Sequence, residues 1–203
     1  MIDNSALFKL SYGLYVLTAK CEGKDNGCIV NTVIQITDTP KRIMVAVNKA
    51  NFTCGMIKET NEFTVSCLTQ KTSFDMIKRF GFASGRSVNK FEGFSGWERG
   101  KNSIVHITEN TNAFINAKVY KTEDVGTHII FYADVTDAQT LSGEKSLTYD
   151  YYFENVKPKA SVEKKKGYVC KICGYVYEGE KLPDDFICPL CKHGAEDFEP
   201  IGE

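Results

Sequence analysis

The sequence predicts a mainly β protein in two parts, an antiparallel β-barrel of about 155 residues followed by a small metal-binding module. Three observations predict it: eight short runs rich in Val, Ile, Thr, Tyr and Phe, a Lys-rich stretch after residue 156, and two Cys-x-x-Cys pairs behind that stretch. The parts are residues 1–156, a linker at 157–166, and residues 167–203. With 25 Lys and Arg against 26 Asp and Glu, the 203-residue chain carries a net charge of −1, and 42% of it is hydrophobic. That composition fits a folded chain and argues against one that binds nucleic acid or anionic lipid by bulk charge.

In order, the strand candidates are LYVLTAKC, CIVNTVIQIT, RIMVAVN, EFTVSCL, SIVHIT, NAFINAKVYK, THIIFYADVTDAQ and LTYDYYF. Turn-formers such as Asp25-Asn26-Gly27 and Asp38-Thr39-Pro40 separate them. Two short helices are predicted between strands: FTCGMIKET after an N-cap at Asn51, and SFDMIKRFG after Thr72 with Gly81 as its C-cap. No Gly-x-Gly-x-x-Gly turn follows a strand, so nothing points to a Rossmann dinucleotide domain.

KPKASVEKKKG, at the end of the barrel, holds five Lys with one Pro and one Gly and reads as a linker. Ten such residues span roughly 17–20 Å. Charge divides there: the first 166 residues carry 22 basic against 18 acidic side chains, a net +4, and the remainder three against eight, a net −5. An acidic module of this kind can steer docking to a basic partner, and it disfavours nucleic acid.

The N-terminus has no basic region followed by an apolar run, and no stretch is long and apolar enough to span a bilayer, so a reducing, cytoplasmic setting without membrane insertion is the expectation. Paired cysteines there bind metal or do redox work more often than they form disulfides. Cys170 and Cys173, with Cys188 and Cys191, are separated by 14 intervening residues. Each pair forms a knuckle, and four thiolates in a tetrahedron select zinc or iron. Spacing alone favours zinc, and a zinc ribbon that binds a partner without catalysis is the reading of another class. Cys21, Cys28, Cys54 and Cys67 lack ligand spacing and read as small apolar residues.

CGYVYEGE followed by PDDFICPLC resembles rubredoxin, whose four cysteines hold one iron beside packed aromatics, here Tyr168, Tyr175, Tyr177, Phe186 and Phe198. The short spacer is similar to the compact rubredoxin-type tail of rubrerythrins, and Phe186 stands where a Trp is common. His193, two residues past the last Cys, reads as exposed surface.

Within the barrel, Asn31 and Thr32 interrupt an apolar strand, Asn48 to Thr53 leads into a helix N-terminus, and Ser84 to Phe91 is a Gly/Ser loop with two cations. A helix N-terminus with a hydroxyl and a Lys makes a serviceable phosphate site, although each cue alone has a bland alternative in local backbone capping or solvation. Together LSYGLYVLTA, NTVIQITDTP, NKANFT, FGFASGRSVNKF, VGTHIIFYADV and LTYDYYF resemble the flavin reductase-like split-barrel family, which includes flavoredoxins and an archaeal-type ferric reductase. The resemblance implies a homodimer that binds FMN near the subunit interface and is reduced by NADH or NADPH. It implies that Asn31, Thr32 and Thr53 contact the ring or ribityl chain, that Lys90, with Lys49 and Arg86, neutralises the phosphate, and that His128 sits over the flavin near the nicotinamide. Tyr151 and Tyr152 either cap the flavin or belong to the core, and Trp97 reads as packing. The pairing of both parts resembles the high-molecular-weight rubredoxins of anaerobic bacteria. That resemblance implies NAD(P)H-dependent electron transfer to a flavodiiron protein that reduces nitric oxide or oxygen; the alternative is a reductase of ferric chelates or free flavin.

Overall fold

The computed structural model describes residues 3–158, 167–172, 175–188 and 193–201, and divides into two units, Met1–Val156 and Lys157–Glu203. Most of the predicted linker, residues 159–166, lies outside the described residues, as do Cys173 and Cys191.

The first unit is built on a seven-stranded antiparallel sheet. Its strands are β1 (Tyr15–Cys21), β2 (Lys24–Val30), β3 (Ile34–Thr37), β4 (Arg42–Asn48), β5 (Glu62–Leu68), β8 (Thr111–Asp124) and β9 (His128–Thr140), in the order β2-β1-β5-β8-β9-β4-β3. The edge strands β2 and β3 are consecutive in the chain, and Asn31 to Val33 bridges the gap between them. Side chains from six of these strands, among them Leu17, Val30, Val45, Phe63, Ala117 and Phe131, meet in one cluster, so the sheet wraps around it. Helix α1 (Phe52–Thr60) closes this core with Cys54, Met56 and Ile57. This is the mainly β split barrel that the sequence predicts.

β1 is buried on both faces, because a second core lies outside the barrel. Leu14, Val16 and Leu68 pack there on Met76, Ile77 and Phe80 from α2 (Phe74–Ile77) and the π turn Lys78–Phe82. Against the same surface lies a hairpin of β6 (Trp97–Arg99) and β7 (Val105–Ile107), whose outer backbone edge has no strand partner among the described residues. Buried polar side chains take that role: the Thr18 hydroxyl donates to Val105 O, and Ile107 N donates to Ser66 Oγ at 2.9 Å. Backbone groups left orphaned under a core are costly, and these side chains satisfy them.

Three local expectations are corrected. LTYDYYF is not a strand: α3 (Tyr149–Tyr151) continues as a π turn, Tyr152–Val156. The Thr148 hydroxyl caps it by accepting from Tyr151 N at 3.2 Å, and Tyr149, Tyr152, Phe153 and Val156 fall at helical spacing onto the second core. Asp25-Asn26-Gly27 is not the turn but the body of β2; the chain reverses at Glu22 and Gly23, both at positive φ (49° and 78°), the pattern of a tight hairpin. The second helix is capped by Ser73, whose Oγ accepts from Met76 N, and Gly81 lies inside the π turn. Asn51 does precede α1, without a side-chain cap.

The second unit holds a three-stranded sheet, β11-β10-β12, formed by β10 (Gly167–Cys170), β11 (Val176–Tyr177) and β12 (Phe198–Ile201). Among the described residues no helix is long and apolar enough to cross a membrane.

Candidate functional site

In the second unit Cys170 ends β10 and Cys188 follows Phe186 and Ile187; both cysteines are buried. Cys170 N donates to Tyr175 O at 2.8 Å, and Cys188 N donates to His193 O at 2.8 Å. Each bond joins the first cysteine of a pair to the residue five positions on. Cys173 and Cys191 lie outside the described residues. Phe186 packs on Tyr177 (4.8 Å between centroids), Phe198 (5.3 Å) and Tyr175 (6.4 Å), which walls this side with rings. Two buried cysteines, each the first of a Cys-x-x-Cys pair, fit a site in which four sulfurs hold one iron or zinc ion. His193 is exposed, as expected.

In the barrel, β4 delivers its end to α1 through Asn48 to Asn51, and this junction gathers most of the predicted residues. Thr32 Oγ1 donates to Ala46 O at 2.8 Å, fixing the bridge between the sheet edges to β4. Asn48 pairs with His128 across β4 and β9. Lys49 N donates to Thr127 O at 3.0 Å, and Lys49 Nζ pairs with Asp124 at 2.6 Å. Lys49 and the Gly126 N–H together hold the Asp124 carboxyl below its ordinary value. Lys49 and His128 thus come to one corner. His128 is half-buried, its Nδ1 lies 2.8 Å from Thr127 Oγ1, and burial lowers its pKa, favouring the neutral ring.

At the other side of the α1 N-terminus, Thr53 Oγ1 is fully buried and accepts from Asn26 Nδ2 at 2.8 Å. Cys28 lies beside this pair, its thiol pushed up to about 11 by burial. Arg86 is exposed and places its guanidinium 5.1 Å from the Phe52 ring. A cavity of about 620 Å³ opens there, lined by Lys24, Phe52, Arg86, Asn89, Phe91 and Trp97 among others. Cationic and aromatic walls together fit a planar ligand bearing a phosphate. Phe52 lies within the NKANFT segment but was given no role of its own, and sequence reasoning missed two further contributors: Lys24 carried no motif, and Asn26 read as a turn residue although it sits within a run that pairs along its whole length with β1.

Burial sets two of the predicted residues apart. Tyr152 is 4% exposed in the second core and stacks with Tyr149. Lys90 is 5% exposed, and its Nζ donates to Gly27 O and Phe80 O at 2.8 Å each, which directs the ammonium into the protein. Asn31 is half-buried at the gap between β2 and β3.

Comparison with known proteins agrees with this division. The model of the flavin reductase like domain matches residues 7–158, and that of the rubrerythrin, rubredoxin-like domain matches residues 168–199. High molecular weight rubredoxin of Moorella thermoacetica is 34% identical over 230 aligned residues, covering 98% of this chain and 100% of that protein. Ferric-chelate reductase (NAD(P)H) of Archaeoglobus fulgidus is 41% identical, covering 74% of this chain and 89% of its own. The crystal structure of flavoredoxin from Methanosarcina acetivorans superposes with a TM-score of 0.58 at 23% identity, covering 68% of this chain and 74% of that one, a likeness of fold. A barrel-spanning family match, a rubredoxin-like match beyond it, and a relative aligned over nearly the whole chain lead to one conclusion: the chain belongs to the flavin reductase-like family, in the two-module form represented by high molecular weight rubredoxin.

Proposed function

We propose that this chain passes electrons from NAD(P)H through FMN on the barrel to an iron centre in the module, and on to a protein acceptor, a flavodiiron protein that reduces nitric oxide or oxygen. The observation that carries the reading is the presence in one chain of a flavin reductase-like barrel and a paired-cysteine module. When bound, the flavin accepts an electron pair as hydride and releases electrons singly, while the iron carries one at a time. Cys170, Cys173, Cys188 and Cys191 hold the metal. Residues 157–166 tether the module to the barrel, and the reducing cytoplasm keeps the thiols available.

The barrel's residues bind and orient. Asn31 and Thr32 meet the ring or ribityl chain, Thr53, fully buried, takes part through its hold on Asn26, and Arg86, exposed above Phe52, takes the phosphate with Lys49 as a second positive charge. His128, whose burial favours the neutral ring, presents a ring edge beside the nicotinamide and is not called on as an acid or base, since hydride transfer asks of the protein alignment and electrostatics. A second copy of the chain completes the site. In support, Ile34 and Ile36 on β3 and Tyr120 on β8 are 51%, 40% and 44% exposed, an apolar surface on the β3, β4 and β9 side of the barrel where Thr32 and His128 also lie.

The test is an anaerobic visible spectrum of the full-length protein purified without added cofactor, with flavin and metal quantified, before and after NADH. Flavin and ferric-thiolate bands that both bleach are expected; zinc without flavin overturns the proposal. The identity to a ferric-chelate reductase over the barrel favours a second reading, in which the acceptor is a diffusible ferric chelate and the module is bypassed.

A further inference from the structure

Lys90 is an ammonium with 5% exposure whose two hydrogen-bond acceptors are main-chain carbonyls, and no described carboxylate forms an ion pair with it or with Arg86. Burying a cation without a counter-charge is unfavourable, so a side chain kept there must join things that an apolar residue would not. It joins three segments. Gly27 lies in β2, Phe80 in the π turn, and Lys90 itself ends the loop that begins at Ser84. Arg79 reinforces this end, donating to Lys90 O and Glu92 O at 3.0 Å each.

The other end of the loop packs against the neighbouring residue of the same strand. Gly85 lies so close to Asn26 that a Cβ built on it would fall 2.1 Å from Asn26 Oδ1, and Asn26 is itself held by Thr53. Between the two anchors Ser84 O accepts from Ser87 N and Val88 N at 3.1 Å each, folding the loop tightly. The loop is a wall with open space on both sides, since Val88 and Asn89 line the cavity beside Phe52 and also one of about 710 Å³ beside α2. Without anchors such a wall has nothing behind it.

We infer that Lys90 is a positioning residue: its buried ammonium clamps residues 84–90 to β2 and the π turn, so that Arg86, and not Lys90, meets the flavin phosphate. The inference rests on the reading that Arg86 takes that phosphate.

The test titrates the full-length, flavin-stripped protein with FMN and with riboflavin, comparing wild type, Arg86→Ala, Lys90→Met and the double variant. Arg86→Ala and Lys90→Met are each expected to weaken FMN about tenfold. The double variant should be no weaker than Arg86→Ala alone, because the clamp acts through that arginine. Losses that multiply to about a hundredfold give Lys90 a contact of its own and overturn the inference. Hydrogen exchange separates the two layers of argument: amides of residues 84–90 should exchange faster in Lys90→Met, and unchanged exchange overturns the clamp. Arg86→Ala with undiminished FMN binding instead overturns the phosphate reading and leaves the exchange result to judge the clamp. Should Lys90→Met not fold, the Lys90 ammonium signal in lysine-labelled wild-type protein decides: it is expected to be protected before FMN is added and unmoved by it, whereas a shift with FMN and not with riboflavin overturns the inference.

Discussion

Asn26 and its contacts make the barrel site sensitive to one methyl group. Replacing Gly85 by Ala drives a Cβ into the Asn26 amide, which must leave Thr53 to make room. Overpacking of this kind costs about 1–3 kcal/mol, and urea denaturation of Gly85→Ala should show a loss in that range with weaker FMN binding. Histidines supply a pH test. Burial lowers the pKa of both His106 and His128 from 6.5, so the folded protein binds fewer protons than the unfolded chain from pH 6.5 down to the lowered values. Stability therefore falls as pH falls through that window and remains reduced below it. His106 stacks on Phe114 at 4.1 Å with its Nδ1 buried and lacking a hydrogen-bond partner, so His106→Phe should flatten part of the fall in urea midpoint between about pH 7.5 and 5.5. An unchanged pH profile would count against His106 as its source. The residues behind these predictions were the least legible in sequence. Asp25-Asn26-Gly27 has turn composition, yet each member docks a different segment: Asp25 takes Arg99 at 2.9 Å, Asn26 takes Thr53, and Gly27 offers its carbonyl to Lys90. Lys90 is likewise legible as a cation and not as a buried one, because its type, and not its burial, is what a sequence displays.

Single elements depend on side chains that stand in for backbone. The hairpin of β6 and β7 rests on hydroxyls from β1 and β5, so Thr18→Val leaves Val105 O without its donor and should cost about 1–3 kcal/mol. Thr148→Ala removes the cap of α3 and should cost about 1 kcal/mol, both read as shifts of the urea midpoint. The barrel strands were legible because alternation of buried and open positions, as in Arg42–Asn48, writes period two into the sequence. LTYDYYF misleads because Tyr, Thr and Phe favour strands, and tertiary packing overrides that preference. Its apolar residues at 149, 152, 153 and 156 do carry the helical period, but the last of them lies beyond the quoted run. Polar residues on a buried outer face, Thr18, Thr64 and Ser66, gave no sign of the hairpin they support, since nothing local distinguishes them from solvent-facing positions.

Over the whole molecule, the two units predict separable stabilities. A unit as small as Lys157–Glu203 has little core, so chelating its metal should unfold it while the urea transition of the barrel stays in place. A coupled loss of both transitions would refute that independence. Deleting residues 167–203 should leave NADH-driven reduction of ferric chelates intact and abolish delivery to a protein acceptor; loss of chelate reduction would count against the barrel as the flavin site. The order of strands has a further consequence. β4 pairs with β9, joining Val45 to Phe131, so the barrel closes only when residues far apart in the chain meet. All its strands are nevertheless complete by Thr140, ahead of the first paired cysteine at Cys170. During synthesis from the amino end, the barrel's instructions are finished before any thiolate of the module exists, so a cell starved of iron would still accumulate closed barrels and lack only the loaded module.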